Sequence, residues 1–232
     1  MKSTVRLFRY KATSKQNALN SKNISTKEEI QLFNEGPIEG KKITSEVCVP
    51  HLLFSSSDYD NLGSLIKCNP SIKDKTDKAA LRKALKDGAI DYVATDHAPH
   101  VLSEKEKNYL KSASGMPSVQ HSFLAVLELV HDGDIEITDV PKITSHNVAK
   151  RFEIKDRGFI KEGFWADLVL VNMNDSYEVK KEKIFYKCGW SPFESYTFKS
   201  RITETIINGE RVCSQGKILS DKIGQKLEFT RG

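Results

Sequence analysis

The chain has 232 residues, and its 36 lysines and arginines outnumber its 31 aspartates and glutamates, which gives a net charge of +5. Hydrophobic residues make up 38%, and no apolar run approaches the ~20 residues that span a bilayer, so no membrane partner is expected. The four cysteines are widely spaced without a CxxC pair, which argues against a disulfide scaffold or a cysteine-rich zinc module. This cysteine usage favours a reducing, cytoplasmic setting.

The positive charge is concentrated in residues 1–23, which contain six basic residues and no acid. Residues 24–232 contain 30 basic and 31 acidic residues, so the body is balanced. The leader is open to three interpretations: a transit peptide, a nucleic-acid-binding arm, or a poorly ordered or aberrant segment. Its apolar residues do not share one helix face and the body shows no basic patch. The third interpretation is therefore favoured, and no nucleic-acid partner is expected.

Along the body, helix and strand patterns alternate. Predicted helices, marked by capping residues and 3.6-residue periodicity, cover residues 25–34, 57–65, 77–86, 118–131 and parts of 139–152. Thr76 is predicted to cap the helix over 77–86, which ends at Asp87-Gly88. Predicted strands cover residues 42–49, 89–95, 166–171, 201–207 and 210–213, the last two joined by an Asn208-Gly209 hairpin turn.

These patterns predict two parts. Alternating β and α elements over residues 24–156 indicate a parallel sheet with crossover helices, as in a barrel or an open sheet. Residues 157–232 are β-rich and read as antiparallel. The β/α units are too few for a complete eight-stranded barrel, which typically needs ~250 residues by itself. Trp165 and Trp190 are predicted packing anchors, and His121 and His131 are predicted at a helix surface or core edge.

The sharpest chemical feature lies where the strand Ala89–Thr95 runs into Asp96-His97-Ala98-Pro99-His100. Polar residues at the C-terminal ends of parallel strands face the active-site mouth in α/β folds. An acid followed by two histidines within four residues suits metal ligation and proton transfer. The competing interpretation is an aspartate that caps a turn and histidines that hydrogen-bond locally. The density of ionisable groups at the end of a buried strand favours the functional interpretation.

The motif at 94–100 resembles the signature of the dihydroorotases, in the metal-dependent amidohydrolase superfamily. Further motifs fit this family in order along the chain from about Ile24 to the C-terminus. They lie at 24–29 (ISTKEE), 46–49 (EVCV), 67–70 (KCNP), 114–117 (SGMP), 145–147 (SHN), 157–163 (RGFIKEG), 166–171 (ADLVLV) and 191–194 (SPFE).

The resemblance implies the C-terminal part of a (β/α)₈ TIM-type barrel followed by a small β-sandwich portion. It also implies zinc, and the reversible interconversion of dihydroorotate and N-carbamoyl-L-aspartate in pyrimidine synthesis. Asp96 corresponds to the aspartate that binds metal and shuttles the proton. Asn69 and His100 correspond to substrate-binding residues, and Gly115 to a loop whose backbone contacts the pyrimidine ring. Glu46 corresponds to a strand-end acid near the site.

The sequence departs from the family pattern where metal ligands are expected. The first-strand His-x-His pair, the carboxylated lysine or aspartate and the next metal histidine have no counterpart. Asn23 stands where a histidine usually precedes Ile24, and asparagine is a poorer zinc ligand than imidazole. Pro50 replaces the first of a histidine pair that ends at His51, and Ser195 stands where glycine is usual. Asp96 is thus the one expected ligand present.

Two main interpretations follow. The first is an N-terminally truncated dihydroorotase, a cyclic amide hydrolase whose own activity is weak or absent because its ligand set is incomplete. The second is a non-catalytic dihydroorotase-like chain that acts as an assembly or binding subunit. A homo-oligomer is compatible with both, and a nucleic-acid binder with a basic arm is the least favoured interpretation.

Overall fold

The computed structural model describes residues 21–220 and 224–230. Residues 1–20 of the predicted leader, and residues 221–223 and 231–232, lie outside the described residues. The last three leader residues differ from the expectation of poor order, because Ser21–Asn23 form a strand, β1. They pair in parallel with the next strand, with Asn23 opposite Glu46, so their backbone groups are hydrogen-bonded.

A three-stranded parallel sheet carries the first part of the chain. Its order is β1, then β2 (Thr44–Cys48), then β3 (Tyr92–Ala94). Glu46 pairs with Tyr92 and Cys48 with Ala94, so the C-terminal ends of β2 and β3 lie at one edge of the sheet. The predicted strands at 42–49 and 89–95 are therefore present, in the parallel arrangement that β/α alternation indicates.

Helices cover much of the segment between β1 and the end of the first part. They are α1 (Lys27–Ile30), α2 (Val49–Leu53), α3 (Tyr59–Leu62), α4 (Lys75–Asp87), α5 (Leu102–Lys105), α6 (Ser122–His131) and α7 (Asn147–Phe152). The predicted helix at 57–65 is instead three short pieces: α3, with a single 3₁₀ turn before it and another after it. None of the helices among the described residues has the length and apolar character that crossing a bilayer demands.

The N-cap of α4 corrects the sequence prediction. The carboxylate of Asp74 accepts hydrogen bonds from the backbone amides of Thr76 (2.7 Å) and Asp77 (3.0 Å), so the cap is Asp74 and not Thr76. An aspartate two residues earlier satisfies the same orphan amides and places its charge at the positive end of the helix. At the other end Gly88 takes a left-handed conformation (φ 74°), as the Asp-Gly pattern predicts.

A buried carboxylate sets the pairing of β2 and β3. Asp91 accepts from the Ser45 amide at 2.8 Å, and its own amide donates to the Ser45 carbonyl at 3.1 Å. The second carboxylate oxygen accepts from Lys41 Nζ at 2.8 Å, and both side chains are buried. Asn147 of α7 donates to the Asp91 carbonyl. This network satisfies a buried charge and opposes a slip of β3 along β2.

The second part of the chain is antiparallel. A four-stranded sheet has the order β4 (Leu168–Asn172), β7 (Arg201–Ile207), β8 (Glu210–Ser214) and β9 (Lys217–Ile218). A separate ribbon pairs β5 (Tyr177–Glu178) with β6 (Thr197–Phe198). The predicted hairpin is confirmed: Asn208 and Gly209 both have positive φ angles (55° and 84°), as a two-residue turn of this type requires.

One apolar core joins the parallel sheet to the later segment. Residues 124–129 of α6 are all buried, so this helix is surrounded on every side. Phe193 and Phe198 pack into the same core as Val47 and Leu81. The predicted helix over 118–131 begins only at Ser122, and Val119, counted on its apolar face, is exposed. Residues 119–121 form a turn instead. Just before it, the Ser118 amide is hydrogen-bonded to His97, beyond the C-terminal end of β3.

Two aromatic predictions have opposite outcomes. Trp190 is buried, as predicted, and its indole Nε1 donates to the His100 carbonyl at 2.8 Å. Trp165 is 44% exposed and lies beside the guanidinium of Arg157 with 5.1 Å between the charge and the ring centre. The prediction of a packing anchor is therefore wrong for Trp165, because this ring stacks on a cation at the surface.

His121 is buried rather than at a helix surface or core edge. It is 1% exposed and surrounded by the rings of Tyr186, Phe193 and Phe198, with centroids 5.9 to 6.1 Å away. Its Nδ1 lies 3.1 Å from Ser191 Oγ. Burial lowers the pKa of His121 to about 4, because the apolar surroundings disfavour the charged ring.

This burial predicts an acid-sensitive contribution to stability. Between pH 6.5 and pH 4 the unfolded chain binds a proton at His121 while the folded chain does not, so the free energy of unfolding falls as the pH falls through this window. From the two pKa values the loss reaches about 3 kcal/mol. Urea unfolding at several pH values should show a smaller loss in His121→Phe than in the unsubstituted chain.

Phe193→Leu is the control, since it disturbs the same aromatic cluster without removing a titratable group. It should lower the free energy of unfolding by a similar amount at every pH and keep the acid slope of the unsubstituted chain. An unchanged slope in His121→Phe would contradict the assignment of this loss to His121.

Candidate functional site

Three loops meet beyond the C-terminal end of β3. We call them the Asn69 loop (residues 67–70), the Asp96 loop (95–100) and the Gly115 loop (112–118). His97 of the Asp96 loop forms a parallel bridge with Met116, and the Ala98 amide donates to the Met116 carbonyl at 3.1 Å. The polar segment after His100 therefore turns back and lies along the strand extension that carries Asp96.

Asp96 follows β3 by two residues and is exposed. Its φ angle is 46°, a left-handed conformation that is uncommon for residues other than glycine. Such strain is concentrated at functional sites, where the surrounding structure holds it. The position is the one that the sequence predicts for a strand-end acid.

Two buried thiols lie under the electrostatic influence of Asp96. Burial, followed by the negative charge of Asp96, raises the pKa of Cys48 to about 12. The same two causes raise the pKa of Cys68 to about 12. Both side chains are therefore neutral thiols at physiological pH and are not nucleophiles. Both side chains are buried in the core; Cys48 ends β2, and Cys68 lies in a loop.

The ends of β1 and β2 present polar groups on one face. Asn23 pairs with Glu46 in register, and its side-chain Nδ2 donates to Cys48 Sγ at 3.2 Å. The Asn23 Oδ1 atom is buried without a hydrogen-bond partner among the described residues. Glu46 is half-buried on the same face, since residues in register on parallel strands point the same way. Glu46 thus lies in the middle of β2, two residues before Cys48, and not at the strand end.

His100 is held between two acceptors. Its Nδ1 lies 3.1 Å from Glu104 Oε2, and its Nε2 lies 3.2 Å from the Ser114 carbonyl of the Gly115 loop. These two contacts fix the orientation of the His100 ring. The His100 carbonyl in turn accepts from buried Trp190, which ties the Asp96 loop to the later segment.

Gly115 lies against His100 so closely that no side chain fits. A Cβ atom at this position would be 2.5 Å from Ala98 Cβ and 3.3 Å from His100 Cδ2. Its φ angle of 130° is also one that favours glycine. The Gly115 amide donates to the Lys67 carbonyl at 2.8 Å, so this loop is bonded to the Asn69 loop as well.

Asn69 is exposed at the end of a loop that is held from two sides. One side is the bond from Gly115 to Lys67. The other is His51, buried below the loop, whose Nε2 lies 2.9 Å from the Pro70 carbonyl. Burial lowers the pKa of His51, which favours the neutral ring. His51 therefore anchors the Asn69 loop, a role that its place in the sequence does not reveal.

The structure thus brings the predicted residues Asn69, His100 and Gly115 together through loop contacts, with Asp96 at the adjoining strand end. Sequence reasoning missed the residues that connect them. His97 accepts from the Ser118 amide at 3.1 Å, and Ser118 Oγ donates to the Thr95 carbonyl at 2.6 Å. Lys105 is fully buried among loop carbonyls. A lysine in a polar segment carries no sequence signal of burial, so Lys105 could not be found from the chain alone.

The donor groups do not fit the zinc ion that the resemblance implies. Within residues 21–220 and 224–230, no three histidine, cysteine, aspartate or glutamate side chains are placed to hold one metal ion. Asn23 stands where the family usually has a metal-binding histidine, and its amide nitrogen is hydrogen-bonded to Cys48 Sγ. Zinc prefers imidazole, thiolate or carboxylate ligands to an amide.

Comparisons with known proteins agree with this architecture. The model of the amidohydrolase family matches residues 41–212. The chain belongs to the amidohydrolase family. L-hydantoinase from Arthrobacter aurescens has a similar fold, with a TM-score of 0.78 at 21% identity over 86% of this chain and 45% of that one.

Curated relatives within the amidohydrolases are also similar. A dihydroorotase of Pyrococcus horikoshii is 33% identical over 185 residues, which is 80% of this chain and 42% of that protein. An allantoinase of Bacillus velezensis is 34% identical over 200 residues, 86% of this chain and 44% of the relative. The chain spans about half the length of the curated relatives that it matches.

The lack of a zinc-ligand cluster among the described residues predicts that zinc has little effect on the thermal stability of this chain. Addition of zinc, or of EDTA, is expected to move the thermal midpoint by less than about 1 °C, because a ligand that does not bind the folded state does not stabilise it. Metal analysis after dialysis against zinc should find well under one equivalent. One tightly held equivalent, together with a rise in the midpoint, would contradict this assignment.

Proposed function

We propose that this chain carries the substrate-recognition portion of a cyclic amide hydrolase of the dihydroorotase type. The reaction class is the reversible interconversion of dihydroorotate and N-carbamoyl-L-aspartate, and turnover by the chain itself is weak or absent. The observation that carries the proposal is that the loops of Asn69, His100 and Gly115 are joined by the Gly115–Lys67 and His100–Ser114 hydrogen bonds, beyond the strand that leads to Asp96.

The relatives support this substrate class. Dihydroorotases and an allantoinase match at about a third identity over most of this chain, and a hydantoinase is among the structural neighbours. The names of these proteins point to small cyclic amides or ureides. By analogy with the family, the parallel sheet over 24–156 is proposed as part of a (β/α)₈ barrel and residues 157–232 as part of a β-sandwich domain.

The groups on the loops suit a small ring with amide edges. Gly115 lets its backbone approach Ala98 and the His100 ring without a side chain between them, which fixes the position of that ring. Asn69 offers an amide that both donates and accepts hydrogen bonds. Asp96 carries a carboxylate oxygen that can hold the proton passed to or from the ring nitrogen during amide cleavage.

His100 is assigned to the carboxylate that dihydroorotate carries and that dihydrouracil lacks. Its ring is held in place between Glu104 and the Ser114 carbonyl. A group that recognises this carboxylate separates two otherwise similar rings.

Weak turnover follows from the donor set. In the family that the chain resembles, zinc supplies the activated water that attacks the ring amide. The described residues do not form a site for that ion. The residues of this chain are therefore assigned to binding and orientation of the ring and, for Asp96, to holding a proton. We assign no attacking group to them.

Calorimetric titration tests recognition without requiring turnover. Dihydroorotate is expected to bind the full chain, and dihydrouracil is expected to bind at least about tenfold more weakly because it lacks the carboxylate. Gly115→Ala should abolish the difference, since the new Cβ collides with Ala98 and displaces the His100 ring. Equal binding of the two ligands would count against the assigned role of His100.

Gly133→Ala provides the matched control. Gly133 also has a positive φ angle (79°), but a Cβ there meets no atom within 4 Å. Both variants place a side chain at a positive φ angle, and only Gly115→Ala crowds the site. Preserved dihydroorotate binding in Gly133→Ala is the expected result. Absence of any binding by the unsubstituted chain would overturn the proposed function.

A further inference from the structure

Lys105 is a buried lysine that the proposed chemistry does not use. It ends helix α5 within the polar segment after His100 and is 0% exposed. Its ammonium donates to three backbone carbonyls, those of Lys67 (3.0 Å), Ala113 (2.8 Å) and Gly115 (2.7 Å). Three donors thus meet three acceptors, which is the full capacity of an ammonium group.

The three acceptors come from two separate loops. Lys67 belongs to the Asn69 loop, whereas Ala113 and Gly115 belong to the Gly115 loop. Without the ammonium, the Gly115 carbonyl would lose its donor, and the Lys67 carbonyl would keep only the Gly115 amide. A buried carbonyl left without its donor costs on the order of a hydrogen bond. The ammonium therefore adds to the single backbone hydrogen bond that joins the two loops.

Lys67 adds hydrogen bonds in which the Asn69 loop supplies the side-chain donor. Its ammonium donates to the carbonyls of Tyr109 (2.7 Å) and Ser112 (2.6 Å), and its own carbonyl accepts from both Lys105 and the Gly115 amide. Ser64 also donates to the Lys105 carbonyl, which fixes the backbone of α5. The two lysines form a reciprocal clasp between the loops.

The clasp lies directly behind the groups assigned to substrate recognition. Asn69 is two residues from Lys67, and Gly115 accepts from Lys105 with its own carbonyl. His100 contacts the same loop through the Ser114 carbonyl. A small displacement of either loop changes the separation of Asn69 from Gly115, and displacements of about 1 Å at a binding site can cost large factors in function.

We propose that Lys105 is a positioning residue that sets the separation of the Asn69 and Gly115 loops and thereby controls ligand affinity at the site between them. It acts through the three carbonyls and does not touch the ligand. This inference rests on the proposed function for the identity of the ligand, but the structural link between the loops is independent of it.

Lys105→Met tests the link, because methionine keeps an unbranched apolar chain and removes the ammonium. Lys78→Met is the matched control: the Lys78 ammonium also donates to a backbone carbonyl, that of Leu53, but on the side of helix α4. Two measurements apply to each variant. One is the dissociation constant of dihydroorotate, and the other is hydrogen exchange of the Gly115 amide, which needs no ligand.

We expect Lys105→Met to weaken dihydroorotate binding by about tenfold or more and to speed exchange at Gly115, while Lys78→Met changes neither. Normal binding and slow Gly115 exchange in Lys105→Met would overturn the proposal. If Lys105→Met does not fold, Lys105→Gln, which keeps two N–H donors, takes its place and should show a smaller change in both quantities.

The two proposals fail in different ways. If the unsubstituted chain does not bind dihydroorotate, the proposed function is wrong, and Gly115 exchange alone decides whether Lys105 holds the loops. If the unsubstituted chain binds and only the Lys105 variant exchanges faster with unchanged affinity, the loops are linked but the site does not depend on their separation, and the positioning role is overturned.

Discussion

The register between β2 and β3, fixed by buried Asp91, is the constraint on which the candidate site depends. One carboxylate oxygen accepts from the Ser45 amide and the other from buried Lys41, at the end of the strands remote from the site. Because side chains alternate along a strand, a slip of one residue would reverse the faces of β3. The same slip would move Asp96 away from Cys48 and Cys68 and separate the Asp96 loop from the Gly115 loop that lies against it.

Beyond the sheet, backbone hydrogen bonds between loops build the site. The Asp96 loop pairs with Met116, the Gly115 loop donates to Lys67, and His51 holds Pro70 from below. Some carbonyls in these loops have no backbone donor. Buried polar side chains donate hydrogen bonds to them, because buried backbone groups need partners. Buried lysine and histidine side chains therefore hold these loops in place.

The sequence predicted the elements with strong local signals and missed those that depend on tertiary contacts. The parallel strands, α4, α6 and the Asn208-Gly209 hairpin follow from periodicity and turn chemistry, and Asp96 follows from its place after an apolar strand. Asp74 displaced Thr76 as the cap because two residues with capping side chains stand close together and only the folded backbone chooses between them. His121, Lys105 and Trp165 were misjudged or missed, since burial of a polar side chain or exposure of an aromatic one is decided by neighbours distant in sequence.

The chain belongs to the amidohydrolase family. The central proposal is that the loops at the end of its parallel sheet recognise a cyclic amide. Chemical-shift mapping of the ¹⁵N-labelled chain with dihydroorotate tests that claim most directly. The account predicts that the largest amide shifts fall at Asn69, Asp96, His100 and Gly115 and fade toward Asp91 at the opposite end of the strands. Shifts confined to the antiparallel sheet, or no shifts at millimolar ligand, would contradict it.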